Sequence, residues 1–253
     1  MIVKSYAFIH SALAQFSEEE RVALFHLGHL HNELLWSQKH LLWVWNNRQG
    51  ETEPETNGRV FAFVSSIARF AGQLRETYKA IRVDYFSTQL SKKYHARLTP
   101  QTQAALDSLG RYYAGRNMVM EIRDKLAFHF DGAEFKNHIA TLSPNQPHRF
   151  LIGEQGGNTF FEFAHNVNAS CLLALSGEAD PEAAMTRLAT EVIGDVADWT
   201  FQFITEFIIL VLRETQGVAA EITLQNVPLD SDVHLPFFTW PSARSDATAV
   251  VVP

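Results

Sequence analysis

The chain has 253 residues, 46% of them hydrophobic and 19% charged, a balance that is ordinary for a soluble globular protein. Its net charge of −7 excludes a protein that coats nucleic acid through bulk electrostatics, so we do not expect binding to double-stranded DNA. With Cys171 as its single cysteine, the chain cannot form an intramolecular disulfide or a cysteine-based metal cluster.

The sequence gives no sign of export or of membrane insertion. The first 16 residues, MIVKSYAFIHSALAQF, contain one Lys and only short apolar runs, unlike a signal peptide. The longest apolar run, Phe207 to Leu212, is far below the roughly 20 residues that a membrane-spanning helix needs. We therefore expect a cytoplasmic protein that does not contact membranes.

Helical signals dominate the first half of the chain. Ser17 and Glu20 form a capping box that predicts a long helix to about Asn46. The segment 46–58 is polar and contains Pro54, which predicts a loop. A second helical pattern runs over about 59–98, and its length predicts a break near 84–87.

Three shorter elements follow this second helix. Thr99 and Pro100 supply an N-cap and a proline at the first helical position, which predicts a helix over about 100–114. The next helix is predicted over about 116–130, and Asp131-Gly132 should end it. Arg149–Gly153 and Thr159–Phe163 flank a glycine-rich turn, which predicts a β-hairpin.

The last long helix should begin at Asp180-Pro181 and continue to about Gln216. Beyond residue 225 the prolines and the absence of a helical period predict an extended tail, in which LPFFTW lies against the body and the final residues are loose. The predicted fold is therefore mainly all-α. It has one helical domain over 1–225 with a β-hairpin insertion at about 148–164, followed by a tail over 226–253.

Two residues of the helix at 116–130 do not fit a purely structural pattern. On a helical wheel, Arg123 falls inside the apolar arc and His129 at its edge. A buried cation or imidazole requires a partner, so Arg123 could pair with a buried carboxylate while His129 caps the helix end. The alternative interpretation is a catalytic Arg/His pair in an anion-binding site. The surrounding segment 75–125, which holds ten Lys/Arg and five Asp/Glu, favours a local anion site.

Arg123 and His129 are separated by five residues, and the spacing Arg-x(4–6)-His is the signature of the HEPN superfamily (higher eukaryotes and prokaryotes nucleotide-binding domains). Arg21 and His26 also have this spacing, but superfamily members carry a polar residue after the Arg. Asp124 follows Arg123, whereas Val22 follows Arg21. The phrase EIRDKLAFHFD resembles an I-R-N-K-x-A-F-H-Y line in an uncharacterised HEPN sub-family, with Asp124 in place of the usual Asn.

The resemblance implies a HEPN-like helical bundle with long antiparallel helices and a metal-independent endoribonuclease, as in a toxin or defence component, that acts as a homodimer. It implies His129 as general acid/base, Arg123 as phosphate electrophile and Asp124 as orienting residue. We expect Lys125 and Arg116 to bind the substrate, which would be RNA or a nucleotide, without any cofactor. A HEPN-like module that binds a nucleotide, RNA or a protein without chemistry is the alternative.

Two further features leave alternatives open. Phe128 falls on the otherwise polar arc, so a partner subunit or the predicted hairpin should cover it, and we assign it to the dimer interface. His26, His29 and Glu33 share one helix face and could contribute to a metal site. We do not predict a metal, because a diiron bundle would need Glu-x-x-His pairs on two helices, and the one such pair, Glu162 to His165, falls in a predicted strand.

Overall fold

The computed structural model describes residues 1–46, 49–127, 132–153, 158–215 and 218–239. Within these ranges the chain is a bundle of helices with a small two-stranded antiparallel sheet, which confirms the predicted fold class. The helices are α1 Glu18–Trp45, α2 Glu53–Ala80, α3 Leu90–Tyr94, α4 Pro100–Ala114, α5 Met118–Ile122, α6 Gly132–Ala140, α7 Glu162–Leu175, α8 Pro181–Leu188 and α9 Ala197–Glu214.

Three segments of π-helix extend or join these helices in the described part of the chain. They are Ile81–Phe86 after α2, Arg123–Ala127 after α5 and Ala189–Val196 between α8 and α9. A π-helix bonds residue i to i+5 and is uncommon outside single-turn insertions, which occur frequently at functional sites. The first segment lies at the break predicted in the second helix.

Local capping signals explain most of the helix starts. Ser17 and Glu20 form the predicted capping box, and the hydroxyl of Thr99 accepts a hydrogen bond from the amide of Thr102. Thr52 and Glu55 form a second capping box, so α2 begins at Glu53 and not at Arg59. The loop predicted over 46–58 is therefore shorter than expected, because its second half is the first turn of α2.

The buried side chains form two clusters at opposite ends of the bundle. One surrounds α2 and joins it to the second half of α1 and to α5 and α7, with Phe70, Leu74 and Ile122 fully buried. The other joins the first half of α1 to α3 and α9, with Tyr85 and Phe207 fully buried. The two ends of α2 thus belong to different cores. Helix α5 packs against the core that contains the central turns of α2.

The sheet pairs two segments that are far apart in the sequence. Strand β1 (Ile2–Ala7) runs antiparallel to β2 (Val218–Thr223), with Ile2 opposite Thr223 and Ala7 opposite Val218. Alternation of apolar and polar residues is weak in both segments, and neither carries a local signal that names its partner. This pairing was not predicted.

The predicted hairpin contains a single β-bridge, Leu151 with Phe160, and its turn at 154–157 lies outside the described residues. The second predicted strand is wrong beyond Phe161, because α7 begins at Glu162. Arg149 explains why the segment packs here: it donates hydrogen bonds to Glu53 at the start of α2 and to Glu162. Helix α6 was not predicted, and the predicted helix end at Asp131-Gly132 lies partly outside the described residues.

The tail after β2 packs against the bundle as far as it is described. The side-chain amide of Asn46 donates to the carbonyls of Asp230 and Val233, at 2.7 and 3.0 Å. The predicted loose end, from residue 240 onward, lies outside the described residues. No helix of the described ranges is both long and apolar enough to cross a bilayer.

Candidate anion site around Arg123

The helix that carries Arg123 is short and strongly capped. Gly115 ends α4 in an extended conformation, and the side chain of Asn117 accepts a hydrogen bond from the amide of Met120 at 3.0 Å. Val119 and Ile122 then bury one face of α5 completely. The backbone continues from Ile122 into the π-helical turn, and Arg123 is the first residue of that turn.

Two carboxylates hold the guanidinium of Arg123. Nε and Nη2 lie 3.2 and 3.1 Å from Oε1 of Glu76 on α2, while Nη1 donates to Oδ1 of Asp124 at 2.9 Å. Glu76 is shared, because Nζ of Lys79 lies 2.8 Å from the same oxygen. The guanidinium is therefore fixed in orientation from two directions, by its own helix and by a neighbouring one.

These contacts lie at the surface and not in the core. The side chains of Arg123, Glu76 and Asp124 are 26%, 44% and 59% exposed. The hydrogen bond to Asp124 and the charge of Glu76 raise the pKa of Arg123, so it is cationic at every physiological pH. Partial burial raises the pKa of the Glu76 carboxyl, but the contacts with Lys79 and Arg123 outweigh that effect and the net pKa is lowered.

The two residues predicted to bind substrate converge on one carboxylate. Arg116 forms an ion pair with Glu121, and Nζ of Lys125 lies 3.5 Å from the other oxygen of Glu121. Arg116 is largely exposed, at 76%, whereas Lys125 is 25% exposed. Charges in this second group sum to +1, while those of Lys79, Glu76, Arg123 and Asp124 sum to zero. The described residues of these two groups thus carry a net charge of +1.

The other two predicted residues, His129 and Phe128, lie outside the described residues. Their catalytic and interface roles therefore stay predictions. Of the predicted set, the structure brings Arg123 next to Asp124, the contact that an orienting residue must make, and places Arg116 and Lys125 around Glu121. Glu76 was missed, since 46 residues separate it from Arg123 and no local pattern links the two.

Among the described residues, His26, His29 and Glu33 are not placed to hold a metal ion together. Nδ1 of His26 lies 2.6 Å from Oδ2 of Asp84 in the first π-helical segment. His31 instead contacts the hydroxyl of Thr205, with Nε2 at 3.2 Å. In the described ranges no three His, Cys, Asp or Glu side chains are placed to hold a metal ion together.

Comparison with protein-family models, with curated proteins and with solved structures gave no match for this chain. Any functional conclusion therefore depends on the residues and their geometry.

Proposed function

We propose that this chain is a HEPN-like, metal-independent endoribonuclease that acts as a homodimer, with Arg123 binding the scissile phosphate and His129 transferring the proton. The observation that supports this proposal is the guanidinium of Arg123, which Glu76 on α2 orients while solvent still reaches it. A cation that must stabilise a developing negative charge works best when its orientation is fixed before the substrate arrives.

A purely structural role for Arg123 would explain less. The structural alternative required a buried carboxylate, but Glu76 and Asp124 are both more than one third exposed. Exposed ion pairs contribute only about 0–1 kcal/mol to stability. These two exposed contacts therefore add little to the stability of the fold, whereas an oriented, accessible arginine is well suited to a phosphate.

The proposed reaction needs only the RNA and the two side chains. The imidazole of His129 removes the proton from a 2′-hydroxyl, whose oxygen attacks the adjacent phosphorus. The bond to the 5′-oxygen breaks, and the imidazolium returns its proton to that leaving oxygen. The products are a 2′,3′-cyclic phosphate and a 5′-hydroxyl. Arg123 binds the phosphorane oxygens, which carry the additional negative charge.

The carboxylate of Asp124 must give way in this scheme. It occupies Nη1 of Arg123, and a phosphate oxygen would take the same donor. Asp124 is the most exposed member of the cluster, so its side chain can rotate into solvent while Glu76 keeps its hold on Nε and Nη2. The anchor from α2 thus remains while substrate replaces the anchor from the same turn.

One observation favours the second candidate, a HEPN-like module that binds RNA, a nucleotide or a protein without chemistry. The charge of Arg123 is already matched by two carboxylates, which lowers its attraction for a further anion. In this case Arg123 and Asp124 would be a recognition feature for a partner.

The test is cleavage of single-stranded RNA in the presence of EDTA. We expect the wild-type protein to cleave, and Arg123→Ala and His129→Ala each to abolish cleavage. Matched controls are Arg111→Ala, whose side chain contacts Ser108, and His10→Ala, both at exposed positions, which should cleave normally. Full activity in either Arg123→Ala or His129→Ala would refute the proposal.

The same samples separate the two candidates. Thermal stabilisation by RNA or nucleotides without any product would support the binding module. The ribonuclease proposal also expects a species of twice the 28.6 kDa chain mass by light scattering, and a strictly monomeric active enzyme would refute the homodimer.

A further inference from the structure

A cavity of about 370 Å³ lies between α2, α7 and the C-terminal segment, and Leu126 and Ala127 of the π-helical turn after α5 also line it. Its volume falls in the range of small-molecule sites, about 300–1,000 Å³. Three phenylalanine rings form one wall: Phe61 contacts Phe160 and Phe237 at centroid distances of 5.5 and 5.6 Å, and the latter two rings are 5.0 Å apart. Aromatic walls of this kind bind flat or apolar groups.

Two polar pairs face this apolar cavity. Ser65 and Arg69 lie one turn apart on α2, and His165 and Asn168 lie one turn apart on α7. None of these four side chains makes a hydrogen bond or an ion pair with another residue of the chain as described. Arg69 is exposed and Ser65 and Asn168 are half-buried, so solvent can reach these three, whereas His165 is buried.

His165 provides the strongest evidence that the cavity binds a ligand. His165 is only 5% exposed, lines the cavity, and its Nδ1 is buried without a hydrogen-bond partner in the described structure. Burial lowers the pKa of His165 despite the nearby charge of Glu162, so the imidazole is neutral at pH 7. A neutral imidazole offers one donor and one acceptor to a ligand.

Arg69 determines the charge of the ligand. It is exposed and lines the cavity, which places it at the mouth. The positive charge of Arg69 lowers the pKa of His40, which can itself only be neutral or positive. No carboxylate of the described residues pairs with Arg69. An arginine at the opening of an apolar site is suited to a carboxylate or phosphate.

The wall that includes Phe237 is held in place by specific contacts. Asn158 and Thr239 exchange two hydrogen bonds, at 2.8 and 3.1 Å. Phe237 packs directly against Gly58 of α2, where any side chain would collide with its ring. The cavity is therefore largely formed before a ligand enters, which is usual for small-molecule sites.

We infer that this cavity binds a small aromatic carboxylate, with the carboxylate on Arg69 and the ring between Phe61, Phe160 and Phe237. Ser65, His165 and Asn168 bond the polar substituents of the ligand. Arg116, Arg123, Asp124 and Lys125 do not line this cavity, and its test does not require RNA cleavage.

The experiment is calorimetric titration with 2-naphthoate and with 2-naphthamide, a neutral analogue of the same shape. We expect 2-naphthoate to bind the wild-type protein, and Arg69→Met to weaken it at least tenfold while changing 2-naphthamide less than threefold. Arg75→Met is the matched control on the same helix, because Arg75 lies over the ring of Tyr113 and not in the cavity. It should leave both affinities unchanged.

A second set of variants tests the location. Ala164→Phe fills the cavity and should abolish binding of both compounds, and Ser65→Phe fills it from α2 if the first variant does not fold. Several results would overturn the inference: no binding of 2-naphthoate at millimolar concentration, equal losses in Arg69→Met and Arg75→Met, or binding that survives in the filled variants. Tighter binding of decanoate than of 2-naphthoate would overturn the aromatic specificity.

Discussion

Replacing Tyr85 or Tyr94 with phenylalanine should change the free energy of unfolding in opposite directions. Tyr85 and Tyr94 are both fully buried in the same core, and both rings meet Phe207 edge to face, with centroids 5.4 and 5.5 Å away. The hydroxyl of Tyr94 donates to Glu214 at 3.1 Å. The hydroxyl of Tyr85 has no hydrogen-bond partner in the described structure.

The magnitude for Tyr85→Phe follows from removing an unsatisfied group. A buried donor or acceptor without a partner costs about 1–3 kcal/mol. Removing the hydroxyl vacates at most about 15 Å³, roughly one water-sized sphere. At about 24 cal/mol per Å³ the resulting cavity costs about 0.4 kcal/mol. We therefore expect Tyr85→Phe to raise the free energy of unfolding by about 0.5–2.5 kcal/mol.

Tyr94→Phe should act in the opposite direction. A hydrogen bond to a charged group is worth about 1.5–3 kcal/mol. Glu214 keeps its contacts with Arg97 and Lys93, so we take the lower end and expect a loss of about 1.5 kcal/mol. Burial raises the pKa of Tyr94 to about 12, so its hydroxyl remains a donor throughout the physiological range.

The assay is guanidinium denaturation at pH 7, followed by circular dichroism, with equal m-values required for the comparison. The thermal midpoint should move by about 2–4 °C per kcal/mol, upward for Tyr85→Phe and downward for Tyr94→Phe. A loss of stability in Tyr85→Phe as large as that in Tyr94→Phe would refute the reasoning, because it would mean that the hydroxyl of Tyr85 is satisfied.

Three further predictions concern Glu20, Asp124 and Gly58. Burial raises the pKa of Glu20, but the hydrogen bond from Lys93 and other contacts bring it below the ordinary 4.5, so its stabilising contact is lost as the pH falls below that value. Glu20→Gln should flatten the acid limb of an unfolding curve, and an unchanged limb would contradict this. Asp124→Asn should lower KM for RNA about fivefold, because it removes the carboxylate that competes for Arg123; a higher KM would contradict it. Gly58→Ala would place Cβ 2.5 Å from Cδ1 of Phe237, so the ring should move away from α2 and the Thr239 amide should lose protection in hydrogen exchange. The gain in helix propensity of about 1 kcal/mol limits the change in stability. Retained protection would refute the packing.

Local chemistry explains which elements the sequence could predict. The helices that follow Ser17, Thr99 and Asp180 each begin at a side chain that caps the first turn, so a few adjacent residues are enough to predict the helix start. The start at Glu162 has no such side chain, because Phe161 occupies the N-cap position and the aromatic run around it is typical of a strand. The pairing of β1 with β2 joins the two ends of the fold, which no local pattern encodes.

In the functional sites, too, contacts between neighbouring residues could be predicted and contacts made by tertiary packing could not. The contact between Arg123 and Asp124 joins neighbouring residues and was predictable, whereas Glu76 is brought in by the packing of α2 against α5. The cavity was missed entirely. Its signal in the sequence is a polar pair at i,i+4 and another at i,i+3, on two helices that only the tertiary fold brings together.

The π-helical turns explain why a wheel with 100° per residue misplaced Arg123. That angle holds through Ile122, but the i to i+5 bonding of the next turn winds the chain more widely. Each π segment of the described chain presents one polar side chain to a neighbouring helix: Asp84 to His26, Arg123 to Glu76, and Glu191 to the hydroxyl of Tyr112. Arg123 still follows the α-helical geometry of α5, and the wider turn shifts the residues after it, so the buried face is not centred on Arg123, which pairs with Glu76 and still meets solvent. The same turn contributes Leu126 and Ala127 to the wall of the cavity. One five-residue segment therefore presents a cation to solvent and an apolar surface to the interior.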